Sequence, residues 1–321
     1  MIIQPIQEAV VSTFDIDRLA APLTQVCGYD RGDLPDAPPS QFAAWHVPQQ
    51  CTRIEQALFV PQDTASGRGA LRLVRFHGVE QKVMRSSQRT WDTGGIFDVD
   101  MFSADVDKVY RGLQRHGWTA FGEPVDYSEA HFSVRQVVAI GPDGLNLAVI
   151  QRYSPEVPGL DPSGRLSPVF NSTQMVADIE GAIAFYVEVL GWHKDLDFMV
   201  EGVAEPGADV LGLPLPAAIG AQRRVVIFNP PGPSVGGVEL IHNAAMYGRR
   251  CDADCAAPNV GILCLRFEVD DAHAYAAAIV GRGGSLHIEP AAFVIAPYGT
   301  VTLFAVRSPE GAIVEFFSPG G

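Results

Sequence analysis

The sequence predicts an α+β protein built from four strand-helix-strand-strand-strand modules, and three observations carry that prediction. The stretch Asp178 to Trp192 is an amphipathic helix with both ends specified. Weaker copies of it stand at three other places, and the landmarks around the copies keep a constant spacing. Asp105 to Asp271, Gly117 to Gly283 and Asp98 to Cys264 are each 166 positions apart, and Gly144 to Gly311 is 167. Between the first and third units, Asp15 to Asp178 and Gly28 to Gly191 are both 163. Caps, helix-ending glycines, strand residues and turn glycines in one register point to a duplicated pair of modules.

The first unit, about residues 1–78, opens with the apolar strand Glu8 to Phe14. Ile16, Leu19, Ala20, Leu23 and Val26 follow at helical spacing, ahead of Gly28. Pro22 costs about 3 kcal/mol inside a helix, which moves the expected helix start to near Leu19. A Pro-rich loop, Leu34 to Ser40, leads to two strand-like runs, TRIEQALFV and ALRLVRF. In the second unit, about 93–153, Phe97, Val99 and Met101 alternate with Asp98, Asp100 and Phe102, which makes a strand with one wholly apolar face. Asp105 caps a helix ending at Gly117, and Gly141-Pro142-Asp143-Gly144 turns VRQVVAI into LNLAVIQ as a hairpin.

Residues 154–166 hold prolines and glycines between periodic segments and form the expected linker between an N-terminal domain, 1–153, and a C-terminal domain, 167–321. The third unit, about 167–244, carries the defining helix. Its stripe is Ile179, Ala182, Ile183, Tyr186, Val187 and Leu190, with Asp178 as N-cap and Gly191 free to turn left-handed. The strands HKDLDFMV, RRVVIF and GGVELIH surround a Gly/Pro-rich loop, 205–222, whose length suits a functional lid. The fourth unit, about 259–321, runs through GILCLRFEV, a helix from Asp271, strands around Ala292 and in VTLFAV, the turn Ser308-Pro309-Glu310-Gly311, and AIVEFF.

Composition narrows the function. A chain of 321 residues fits two domains. A formal charge of −14 repels phosphate backbones and anionic membranes, so nucleic acid and membrane partners are not expected. No apolar run reaches the roughly 18 residues of a membrane span and no basic secretory start is present, so a cytoplasmic protein is expected. Five scattered cysteines suit a reducing compartment, and Cys251 and Cys255 read as incidental thiols in a polar linker. There is no Gly-rich dinucleotide turn, so no nucleotide cofactor is expected.

The module order, with D-x-x-x-A-x-x-F-Y-x-x-x-L-G matched at Asp178, Phe185, Tyr186, Leu190 and Gly191, resembles the vicinal oxygen chelate superfamily. That group contains glyoxalase I, bleomycin-resistance proteins, extradiol dioxygenases and methylmalonyl-CoA epimerase. Ser308-Pro309-Glu310-Gly311 followed by Val314-Glu315-Phe316 matches its closing pattern. The match is fullest in the third and fourth units. The resemblance implies modules paired into two cup-shaped mixed sheets, with helices outside and the site within the cup. It also implies metal ligands at two positions per module: a residue about seven before the capping Asp, usually His, and a Glu in the closing strand. In the C-terminal half these fall on Asn171, Cys264, Glu239 and Glu315, and in the second unit on Asp98 and Ala148. Neither first-strand position in the C-terminal half is a histidine.

Glu315 and Glu239 lie in otherwise apolar strands, where an unpaired carboxylate costs several kcal/mol. They are expected either to hold a divalent cation and act as acid or base, or to pair with arginines such as Arg266. Cys264 points into the cup as a small hydrophobe or ligand, Asn171 can orient a substrate oxygen, and Tyr298 is placed to line the cup. His242, three residues after Glu239, falls on the other side of its strand. Two functions remain open: a lyase, isomerase or dioxygenase acting on a small oxygenated or aromatic metabolite in the C-terminal cup, as monomer or homodimer, or a metal-free protein that sequesters such a molecule.

Overall fold

Every module starts with the same local instruction: an aspartate after the first strand accepts a hydrogen bond from a backbone N–H in the following helix. Asp15 accepts from Asp17, Asp105 from Lys108, Asp178 from Gly181 and Asp271 from Ala274. Each cap satisfies a donor that the first helical turn leaves orphaned. The computed structural model describes residues 1–62, 67–129, 132–202, 209–220, 222–232 and 236–320.

The first module comprises β1 (Ile3–Ser12), α1 (Ile16–Gln25), β2 (Tyr29–Asp33), α2 (Pro39–Ala44), β3 (Arg53–Pro61) and β4 (Ala70–His77). The second has β5 (Asp98–Phe102), α3 (Val106–Arg115), β6 (Thr119–Ala120), β7 (Val125–Glu129), β8 (Phe132–Ile140) and β9 (Asn146–Ser154). The third has β10 (Asn171–Met175), α4 (Ile179–Ala184) continued by a π turn over Phe185–Val189, β11 (His193–Val200), α5 (Leu215–Gly220), β12 (Arg223–Asn229) and β13 (Val238–Asn243). The fourth has β14 (Gly261–Val269), α6 (Ala272–Gly281), β15 (Ile288–Ile295), β16 (Gly299–Arg307) and β17 (Ile313–Pro319).

The modules pair crosswise. One sheet runs β15-β16-β17-β14-β1-β4-β3-β2 and the other β11-β12-β13-β10-β5-β9-β8-β6, with β7 on β8. The first module therefore joins the fourth through antiparallel β1 and β14, and the second joins the third through antiparallel β5 and β10. This corrects the expected pairing of 1–153 within itself and 167–321 within itself. The physical reason is that each module offers the same free edge, its opening strand. The repeat specifies four such edges without specifying which two meet.

One apolar core collects the buried stripes of α1, α3, α4 and α6 together with residues of both sheets, among them Leu19, Leu113, Tyr186, Tyr275, Phe228 and Phe316. The helices thus stand on one face of each sheet, and the opposite faces form two cups. Helix contacts also link modules that share no sheet: a Cβ on Gly112 of α3 would meet Val26, and Trp192 Nε1 donates to Tyr275 Oη at 3.2 Å.

Three local expectations change. The first helix starts at Ile16 with Pro22 inside it, because burial of Ile16, Leu19, Ala20 and Leu23 outweighs the cost of one proline. In the third module the π turn, with Leu190 N–H donating to Phe185 O at 3.0 Å, rotates the stripe, so Phe185 and Tyr186 are buried and Val187 is exposed. Cys251 and Cys255 are buried thiols in an apolar cluster, not members of a polar linker. All five cysteines are free. Among the described residues no helix is long and apolar enough to cross a membrane.

Candidate functional site

The two cups differ in what fills them. In the cup of the first and fourth modules, β1 supplies Glu8, β4 Arg72, β14 Arg266 and β17 Glu315, and all four are fully buried. Arg72 holds Glu8 through two bonds of 2.8 and 3.0 Å, and Arg266 bridges Glu8 and Glu315, donating to Glu315 at 2.8 Å. Trp45 Nε1 donates to Glu315 at 2.7 Å, and Tyr298 Oη donates to Glu8 at 2.8 Å. Two carboxylates and two guanidiniums cancel in charge, and hydrogen bonds together with the 2.6 Å ion-pair contact of Arg266 Nη2 with Glu315 hold them, as burial requires. Burial would raise the Glu8 carboxyl, but Arg72 and Arg266 more than offset it and hold its pKa below the ordinary range. Burial and then the charge of Glu315 push the Cys264 thiol far up, which favours its protonated form and suits a small buried hydrophobe.

This cup is plugged. The chain around α2 folds over it, with Ala44, Trp45 and Cys51 packed against Leu263, Ile288 and Phe317, and only about 60 Å³ remains beside His46, His287 and Glu315. Four of the expected site residues lie here: Cys264, Arg266, Tyr298 and Glu315. The Arg266 partnership weighed for Glu315 is the one observed.

Glu239 and Asn171 lie in the other sheet, so Glu239 and Glu315 do not share a site. That follows directly from the crosswise pairing. Their cup, between the second and third modules, encloses about 770 Å³, within the range of small-molecule sites. Its walls are largely apolar, with Phe132, Phe170, Phe198, Ile150 and Ile227 among them. Above lies the described part of the expected lid. Asp209 pairs with Arg223 at 2.7 Å, and Thr90 Oγ1 donates to Leu211 O at 2.8 Å, which sets Leu211 over the cavity. Residues 205–208 and 221 of that loop lie outside the described residues. His242 faces away, its Nδ1 3.0 Å from Val176 O, while Glu239 and Ile241 face in.

The floor is acidic. Strand alternation places Asp98 and Asp100 on one face of β5, opposite Thr173 and Asn171 of β10, and Glu239 stands beside Thr173 on β13. Thr173 N–H donates to Asp98 Oδ1 at 3.2 Å, and Asn171 Nδ2 donates to Asp100 Oδ2 at 2.7 Å. Asn171 Oδ1 in turn accepts from Gly237 N–H at 3.0 Å, which fixes the amide's orientation. Burial, then the charge of Asp100, then that of Glu239 push Asp98 well above the carboxylate range. Burial pushes Asp100 up to about 6 despite hydrogen bonds from Asp98, Asn171 and Thr173. The two carboxyls therefore titrate as a unit, and burial with their mutual repulsion keeps a proton on the pair to a higher pH than an ordinary carboxylate would hold it. Asp100 Oδ1 is buried with no protein hydrogen-bond partner among the described residues.

The metal that the resemblance implies does not fit either cup. In the open one, Ala148 offers no donor at one of the four positions, and Asn171 spends both ends of its amide on Asp100 and Gly237. Among the described residues no three His, Cys, Asp or Glu side chains converge to hold an ion. In the plugged cup Arg72, on the closing strand of its module, fills with a guanidinium the place a cation would take.

The aspartate pair carried a signal in the sequence: two acids alternating with Phe97, Val99 and Met101 on a strand whose other face is apolar. That pattern defines the strand's core face and leaves open whether the acidic face meets solvent or a cavity. Arg152, which also lines the cavity, had no signal of its own, being one of several charged residues near a strand end.

Residues 169–316 match the model of the Glyoxalase/Bleomycin resistance protein/Dioxygenase superfamily. No curated protein matches the sequence. Among solved structures, glyoxalase I from Zea mays is similar with a TM-score of 0.60 and 17% identity, over 98% of this chain and 92% of that one. A putative dioxygenase from Bacillus subtilis subsp. subtilis str. 168 is similar with a TM-score of 0.61 and 10% identity, over 100% of this chain and 86% of that one. At these identities the likeness is one of fold.

Proposed function

We propose, for a chain whose residues 169–316 match the model of the Glyoxalase/Bleomycin resistance protein/Dioxygenase superfamily and whose fold is similar to that of glyoxalase I, that the open cup of the second and third modules binds a small apolar or aromatic carbonyl compound and moves a proton on it. The observation that carries this reading is the buried Asp98–Asp100 pair on the floor of an apolar-walled cavity. A carboxylic acid kept protonated near neutrality donates to a carbonyl oxygen as negative charge develops there, and a neighbouring carboxylate takes a proton from the adjacent carbon. The net change is a tautomerisation: one O–H and one C–H exchange places, with no oxidant or reductant. Glu239, at the same floor, adds negative charge that favours the protonated acid. Isomerase or lyase chemistry on an enolisable substrate follows from such a pair.

The test does not need the natural substrate. Proton–deuterium exchange at the carbon next to the carbonyl of phenyl-substituted ketones and ketoacids, followed by NMR in D2O, is expected to be accelerated by the wild type. Asp98→Asn and Asp100→Asn are each expected to slow it by at least about a hundredfold, the usual weight of a general acid or base. Exchange unaffected by both substitutions would remove the pair from the chemistry. The second reading, sequestration without reaction, draws on the apolar walls; it is favoured if the same compounds bind to wild type and both variants alike and none of them exchanges.

A further inference from the structure

Of the two arginines among the described residues that line the cavity, neither is used by the proton-transfer reading, and one lacks a carboxylate partner there. Arg152, near the end of β9, lines the wall, its guanidinium carbon 5.0 Å from the ring centre of Phe102 and 5.7 Å from that of Phe132. Those two rings hold it in place, since a guanidinium stacks on aromatic faces. It takes part in no ion pair among the described residues, and its buried Nε has no hydrogen-bond partner there. Arg223, the other arginine of the wall, differs: Asp209 holds it through both carboxylate oxygens, at 2.7 and 2.9 Å. A guanidinium stacked on rings, turned toward a cavity and lacking a carboxylate is incomplete in its bonding.

We infer that Arg152 is the anchor for a carboxylate on the ligand, and that this cup takes amphipathic monoanions with an apolar or aromatic body. The inference rests on the reading of this cup as a ligand site and adds the class of ligand. Length follows from the strand. Ala148 lies directly beside Asp100 in the β5–β9 pairing, and Arg152 is four residues further on the same face. At about 3.3 Å per residue the two levels are roughly 13 Å apart, and the inward reach of both side chains shortens the gap to be spanned to on the order of 10 Å. The ligand's anionic end therefore sits about that far from the group that meets Asp98 and Asp100. Between them Ile150, Phe170 and Ile227 present apolar surface, which favours a ring or chain over a second polar group. The charges also sort orientation: the acidic floor repels a carboxylate, and Arg152 attracts it at the other end.

Burial lowers the Arg152 pKa, which is the expected cost of a guanidinium held without a counter-charge, and a bound carboxylate would reverse it. Its two terminal N–H donors, set by the ring stacking, offer a carboxylate a fork that it can meet bidentately.

Isothermal titration calorimetry on the full chain with 6-phenylhexanoic acid and 6-phenylhexanamide as probes tests this. The two share a body and differ in charge. The acid is expected to bind the wild type more tightly than the amide. Arg152→Gln is expected to weaken the acid about tenfold or more while leaving the amide within about twofold, the scale of one charge-assisted hydrogen-bonded contact. Arg152→Lys, which keeps the charge and loses the fork, is expected to fall between, and it serves if the Gln variant does not fold. Equal loss for acid and amide, or no loss for the acid, would overturn the anchor while leaving the cavity as a ligand site. Failure of both probes to bind the wild type would overturn the anchor and the ligand cavity together.

Discussion

Two buried carboxylate clusters in one chain have opposite energetic characters, and the difference lies in what stands beside each oxygen. Glu315 has Arg266 and Trp45; removing its charge leaves the fully buried Arg266 with Glu8 alone as its counter-charge. Glu315→Gln is therefore expected to cost roughly 3–5 kcal/mol, measured by urea unfolding, and to leave probe binding in the open cup unchanged. Loss of binding without loss of stability would mean that the two cups communicate. Asp98 and Asp100 form no ion pair with a cation among the described residues, and burial raises their folded pKa values. A raised carboxyl pKa means that the folded state holds a proton the unfolded chain releases near pH 4, so stability falls as pH rises from there through about 6 and beyond. Asp98→Asn removes that term and is expected to make the protein more stable than wild type by about 1 kcal/mol or more at pH 8, with a smaller gain at pH 5. A variant less stable than wild type at pH 8 would show that the pair is held by contacts worth more than its repulsion. Taken with the expected loss of exchange, that gain marks the pair as kept for function at a cost to stability.

At the scale of elements, what could be read from sequence was whatever repeats locally. Caps at Asp15, Asp105, Asp178 and Asp271 and the strands of the third and fourth modules fall where periodicity places them. What could not be read depends on tertiary context. Short β2 and α2 have too few residues for a period, yet α2 and Trp45 decide that one cup is filled and Glu315 sealed. The π turn at Phe185 to Val189 adds a residue to one turn, an event invisible to a fixed 3.6-residue period, and it exchanges Val187 for Phe185 on the buried face. For the site, alternation in β5 put Asp98 and Asp100 on one face but could not say that a cavity lay above it. Arg152 stood in no pattern at all. Glu239 and Glu315 were equivalent by every local measure, and only the partner modules separate them.

That partner choice is the property of the whole molecule on which the site depends. Asp98 and Asp100 come from the second module and Asn171 and Glu239 from the third, so the open cup exists only where the two halves of the chain meet at β5 and β10. The other cup likewise joins β1 to β14, the first strand of the chain to the last module. The halves 1–160 and 161–320, produced separately, would each carry two opening strands without their native partners: β1 and β5 in one, β10 and β14 in the other. Exposed edges of this kind are templates for pairing. Each half is expected to aggregate or self-associate alone, and a mixture is expected to give a one-to-one complex with the near-ultraviolet circular dichroism of the intact chain and its affinity for the probes. Size-exclusion chromatography and titration of one half with the other measure this. Two stable monomeric halves, each with native-like aromatic signals, would mean that β1 can pair with β5 and β10 with β14, the arrangement expected from a domain boundary at the linker. In that arrangement Asp98 and Asp100 would lose Asn171 and Thr173, and probe binding would be lost with them. Binding and crosswise pairing should therefore appear and disappear together.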